Sequence, residues 1–175
     1  MEIQIKNLDN LKDTEIHDFV TRVKIFLVNN NEIIIANCNG CYQLPGGHAE
    51  EGEDLISTVK REIEEETGIS LNLEEITPPF FEVRKYTKNH DRNGRNKLSK
   101  IVYYLVYTNK KPDLNKIHLT EHEKENNFKI DLIPLNNFES TLQNIINNSN
   151  VEVNKIIAAE TLFAFKELEK FLNKK

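Results

Sequence analysis

From Gly47 to Ile69 the chain reads G-H-A-E-E-G-E-D-L-I-S-T-V-K-R-E-I-E-E-E-T-G-I, with Glu53, Arg61, Glu62, Glu65 and Glu66 set between Gly47 and Gly68. If residues 53–67 form a helix turning about 100° per residue, Glu62, Glu65 and Glu66 fall at i, i+3 and i+4 and share one face. Leu55, Val59 and Ile63 line an apolar stripe about 80° away by the same arithmetic, with Ile56 beside it. Glu64 is expected to point to solvent. Three like charges on adjacent turns repel and disfavour the bare helix. A hard divalent cation offsets that repulsion, because Mg²⁺ takes oxygen ligands and keeps several waters. Such a cation neutralises phosphate oxygens, orients a diphosphate and lowers the pKa of a bound water that can attack phosphorus.

The surrounding residues have separate duties. Gly46 and Gly47 allow a tight turn and close backbone approach to a ligand. Arg61 stays charged and cannot serve as a base. Taken together, these positions resemble the signature of the Nudix hydrolases at every specified place. That family cleaves nucleoside diphosphates linked to another group, with divalent metal. The resemblance implies an α/β/α sandwich with a mixed β-sheet between helices and the signature as loop–helix–loop. It further implies Mg²⁺ or Mn²⁺ on Glu62, Glu65 and Glu66, with the Gly46 carbonyl contributing to that site. The matching arginine of the family orients nearby glutamates, commonly with the acid corresponding to Glu53. Arg61, Glu62 and Glu65 are therefore carried as catalytic candidates, and Gly46 and Gly47 as substrate-binding ones.

The general base has two sources in the family, a glutamate of the signature or one from a later loop. Leu119-Thr120-Glu121-His122-Glu123-Lys124-Glu125 supplies Glu121, Glu123 and Glu125 where such a loop falls, although a charged surface loop reads the same way. Tyr86 lies where diadenosine polyphosphate hydrolases often carry a tyrosine, which makes it a substrate-binding candidate. The marks of NADH and coenzyme A pyrophosphatases are absent. The proline that many ADP-ribose pyrophosphatases place about fifteen residues after the signature falls at Arg84 or Lys85. His48 reads as a solvent-facing loop residue that could also meet phosphate. The basic residues between Arg84 and Lys100 would attract a polyphosphate or simply decorate a hairpin.

These residues need a scaffold, and the chain supplies one. Its 175 residues fit a single domain, 1–175, with a hydrophobic core. Strands are expected at Val20 to Asn29, around Ile33 to Ile35, at Tyr42 to Leu44, near Leu71 to Val83, at Lys100 to Thr108 and at Asn127 to Ile133. Pro45-Gly46-Gly47 breaks the hairpin before the first helix, and Gly68 caps that helix. Two more helices are expected at Leu135 to Asn147 and at Val153 to Asn173, the latter with Val153, Ile157, Ala164, Leu168 and Phe171 on its apolar face. Cys38-Asn39-Gly40-Cys41 is read as a hairpin turn with the cysteines facing each other across it, because a zinc site would need two further ligands.

A formal net charge of −5 argues against general nucleic-acid binding. The N-terminus does not read as a signal peptide, and no stretch is long enough to span a membrane, so a cytoplasmic protein is expected. The expected partner is a nucleotide-derived small molecule, with a homodimer left open. The activity expected is metal-dependent cleavage of a pyrophosphate linkage. A nucleotide sensor of the same fold that does not hydrolyse its ligand is the alternative, as is a pyrophosphohydrolase acting on RNA 5′ ends.

Overall fold

The run Val20–Asn29 does form a strand, because β-branched and aromatic residues alternate between two apolar surfaces. In the computed structural model, which describes residues 1–118, 125 and 127–174, this strand is longer, Asp18–Asn29 (β2). The other strands are Glu2–Lys6 (β1), Glu32–Cys38 (β3), Cys41–Gln43 (β4), Phe81–Thr87 (β5), Lys97–Tyr107 (β6) and Lys129–Pro134 (β7). They form one mixed sheet in the order β1-β5-β6-β2-β3-β4, with β7 on β3. β2 and β6 run parallel over eleven residue pairs, as do β1 and β5 over five; the other pairings are antiparallel.

Side-chain alternation divides the core. Val23, Ile25, Leu27, Val102 and Tyr104 face helix α1, Leu55–Thr67, through Val59 and Ile63. Phe26, Val28, Phe81, Val83 and Leu105 face the other side. There they meet α2, Leu135–Asn148, through Phe138 and Leu142, and α3, Glu152–Asn173, through Ala164, Phe165 and Leu168. The result is the expected α/β/α sandwich. Fully burying each large apolar side chain contributes about 1.5–3 kcal/mol. Among the described residues no helix is long and apolar enough to cross a membrane.

Several expectations need correction. Glu53 stands outside α1, because Asp54 is the N-cap and accepts from the Ile56 and Ser57 amides at 2.9 Å. Asp54→Ala should therefore destabilise the helix start and lower the urea midpoint. No strand covers 71–80. Leu73–Glu75 is a 3-10 turn and Ile76 makes only one bridge, to Val106. Pro78 and Pro79 lack the N–H groups a ladder needs, so β5 begins at Phe81. In α3, Val153 is exposed, while Ala158 and Thr161 join Ala164 and Leu168 in the buried face. Strand β1 was not expected at all. The hairpin reading holds: Asn39 and Gly40 have φ of 51° and 80°, and Cys38 pairs with Cys41 across the turn.

Candidate active site

β3 pairs with only the last three residues of β2, Leu27–Asn29, so the lower half of β2 keeps a free edge. The signature loop occupies it. The Ile25 amide donates to the Pro45 carbonyl at 2.9 Å, that of Val23 to Gly47 at 3.0 Å, and that of Ala49 to Thr21 at 3.0 Å. The loop thus runs antiparallel along β2 and sits over the acidic face of α1. Both glycines are required by this contact. At Gly46, with φ of +135°, a Cβ would stand 2.2 Å from the Val23 carbonyl oxygen; at Gly47 it would stand 2.3 Å from Glu62 Oε1.

Arg61 organises the acids. Its Nε and Nη2 donate to the two oxygens of Glu53, each at 2.9 Å. Nη1 donates to Glu62 at 2.9 Å and to Glu65 at 3.1 Å, while Nη2 also reaches the His48 carbonyl at 2.9 Å. One guanidinium therefore ties the loop at 48–53 to two turns of α1. Such bidentate, charge-assisted bonds are the strong ones. Beside Arg61 the Glu53 carboxyl is held down at about 2 from an ordinary 4.5. Glu62 goes the other way: burial raises it, against the pull of Arg61. Glu65 is half-exposed. The Gly46 amide donates to Glu66 Oε2 at 3.3 Å.

The depressed carboxyl of Glu53 predicts a pH dependence. Its contribution to stability is fully present above about pH 4.5, the ordinary value, and is lost as pH falls through about 2. The stability gap between the wild type and Glu53→Gln should stay constant from about pH 7 to about pH 5 and close below that. Urea titrations across this range measure it.

Lys24 is a site residue that sequence reasoning missed. Its Nζ donates to the Leu44 carbonyl at 3.0 Å and to the Gly46 carbonyl at 3.3 Å. Burial pushes its pKa down, with Glu66 the largest opposing influence. The available signal was a lysine inside the apolar run Val23–Val28. Beside it a cavity of about 150 Å³ opens between sheet and α3, lined by Lys24, Gln43, Tyr103, Ile157 and Glu160 among others. A shallower cleft of about 460 Å³ follows the exposed side of α1 past Glu53, Arg61, Glu65 and His118. The His118 amide donates to the Glu65 carbonyl at 2.8 Å.

The structure brings Gly46, Gly47, Glu53, Arg61, Glu62, Glu65 and Glu66 together. Among the described residues, however, no three acidic, histidine or cysteine side chains stand as a ready metal cage, since Arg61 holds Glu62 and Glu65. Tyr86 is directed elsewhere: its hydroxyl donates to Asp13 at 2.7 Å. Glu121 and Glu123 lie outside the described residues, and Glu125 is exposed. His48 accepts from Arg22 Nε at 2.7 Å, and burial and Arg22 lower its pKa. The basic segment is partly neutralised internally, Arg84 and Lys100 by the buried Glu82 and Arg95 by Asp18.

Among solved structures, the chain is similar to the NUDIX domain of Shewanella oneidensis NrtR, solved with ADP ribose, at a TM-score of 0.55 and 16% identity over 94% of this chain and 96% of that one. A MutT NUDIX hydrolase from Burkholderia pseudomallei gives a TM-score of 0.48 and 18% identity, over 82% and 98% of the two chains. A MutT/nudix family protein from Enterococcus faecalis gives 0.42 and 21%, over 55% of this chain and 39% of that one. This chain thus spans well under half of the last. The Shewanella domain supports the fold. The family model described as NUDIX domain matches residues 18–148, three quarters of the chain and the whole of the loop–helix site, and on that match the chain belongs to the Nudix family.

Proposed function

We propose that the protein is a metal-dependent pyrophosphohydrolase acting on a nucleoside diphosphate linked to another moiety. The observation that carries this reading is the joint placement of Glu62, Glu65 and Glu66 with the Gly46–Gly47 backbone around one arginine. The donor set suits Mg²⁺ or Mn²⁺, being all oxygen. The space for Glu62 exists only because residue 47 has no Cβ. Glu62, Glu65 and Glu66 would hold the ion, which supplies charge neutralisation and an acidified water when bound.

The chain's own residues do the rest. Arg61 fixes the carboxylates and passes their orientation to the loop through Glu53 and the His48 carbonyl. Lys24 holds the Leu44 and Gly46 carbonyls from behind and contributes positive potential to the cavity beside it, where one moiety of the substrate would sit. The general base comes from Glu65 of the helix or from Glu121 or Glu123. The chain enters that later segment at His118, whose amide is bonded to Glu65.

Incubation with a panel of nucleoside diphosphate derivatives, ADP-sugars and dinucleoside polyphosphates included, with and without Mg²⁺, tests the reading. Product release dependent on metal and lost in Glu66→Gln is the expected result. Metal-independent release, or none from any substrate, removes it. A second reading, binding without hydrolysis, is favoured by the engagement of Glu62 and Glu65 with Arg61. Thermal stabilisation by a nucleotide without turnover would select it.

A further inference from the structure

We infer that the outer edge of β1 is a self-complementary interface through which two copies of the chain pair antiparallel about Gln4. Among the described residues β1 pairs on one side only, with β5. The Glu2 amide donates to the Phe80 carbonyl at 3.2 Å. In a parallel ladder both backbone groups of alternate residues point the same way. Glu2, Gln4 and Lys6 therefore face β5, and Ile3 and Ile5 turn their N–H and C=O groups outward. Those four groups on each copy are an open template for another strand.

The sequence of the strand selects its partner. Antiparallel pairing centred on Gln4 sets Ile3 opposite Ile5 of the second copy, and Ile5 opposite Ile3, so the outward groups close four hydrogen bonds across the two-fold axis. The same register sets Glu2 opposite Lys6 twice, an attractive pair at each end of the ladder. Moving the register by two residues sets either charge against Gln4 and loses both pairs. Ile3 and Ile5, 45% and 62% exposed, meet each other on the face that carries Arg84. Gln4 occupies the non-hydrogen-bonded position on the axis, where side chains of paired strands approach most closely. Its Oε1 is buried and accepts no hydrogen bond among the described residues, and the amide of the second Gln4 brings a donor to it. The end charges are held only loosely within the chain, Lys6 5.1 Å from the Phe163 ring centre and Glu2 3.7 Å from Lys174.

Pairs of charge variants test this directly. Sedimentation equilibrium of the wild type should show a dimer with a dissociation constant below about 1 mM. Glu2→Lys alone and Lys6→Glu alone should each weaken it about tenfold, since each sets like charges opposite one another at both ends. Mixing the two variants should regain wild-type strength. The lysine introduced in one chain then faces the glutamate introduced in the other, and the unaltered Lys6 and Glu2 meet at the opposite end. Ile5→Pro should abolish the dimer while keeping the monomer folded by circular dichroism, since only an outward donor is lost. A wild type that stays monomeric to about 1 mM overturns the inference. So does a dimer that ignores the single charge changes, or a mixture that does not regain strength.

Discussion

Glu62→Gln should lower hydrolysis by about 10²–10³-fold and at the same time raise the thermal midpoint at neutral pH. The loss follows from removing a charged oxygen from the set proposed to hold the metal. The gain follows from burial. Glu62 is only 8% exposed, and its carboxyl sits above the ordinary 4.5 because desolvation outweighs Arg61. A carboxyl raised in the folded state costs folding free energy whenever it is ionised, and the cost disappears at pH values below 4.5, where folded and unfolded chains both carry the proton. The amide of the variant removes the charge but leaves an oxygen for Arg61. The stability advantage of the variant should therefore be largest near pH 7 and shrink towards pH 4. Melting curves at the two pH values, run beside the turnover assay, read both effects. Glu64→Gln is the control, since Glu64 is exposed and bonded to Ser70. Should Glu62→Gln lose activity and stability together, Glu62 is a packing residue and the proposed role fails.

Gly46→Ala should destabilise the fold by about 3–5 kcal/mol, a fall of about 10 °C in the midpoint for a domain of this size. Its Cβ would lie 2.2 Å from the Val23 oxygen and 2.9 Å from the Val23 carbon, both backbone atoms of a central strand that cannot move aside. The φ of +135° adds strain for any L side chain. Relief requires the loop to leave β2, which breaks the Ile25–Pro45 and Val23–Gly47 bonds and frees the carbonyls held by Lys24. Gly47→Ala provides the contrast. Its clash is with the Glu62 side chain, which can rotate, so activity should fall far more than stability. Gly52→Ala meets nothing within 4 Å at a φ of +80° and should cost only about 1 kcal/mol. Denaturant midpoints for the three variants rank these effects. Equal costs at positions 46 and 52 would show that the loop does not rest on β2.

Much of this was legible from residue types because the relevant spacings are local. The i, i+3, i+4 arithmetic put Glu62, Glu65 and Glu66 on one helical face, and the Asn39-Gly40 turn fixed the hairpin. Charged stretches were less legible. The basic residues from Arg84 to Lys100 read equally as an anion site or as hairpin decoration, and the acids Glu82, on the same strand as Arg84 and beside that of Lys100, and Asp18 neutralise three of them. Tyr86 looked like a substrate contact by position, yet a turn more than seventy residues earlier holds its hydroxyl.

The acidic helix, its glycine flanks and the order of strands and helices were legible in the chain, because each depends on contacts within a turn or on a period of two or 3.6 residues, while the family came from the resemblance of those residues to a known signature. Only the packed sheet sets Lys24 behind the signature loop. It also decides that β1 joins the sheet with one edge open. Those two facts depend on which strand lies beside which. That choice is made by burial across the whole sheet, where residues far apart in the chain meet, and no local spacing records it.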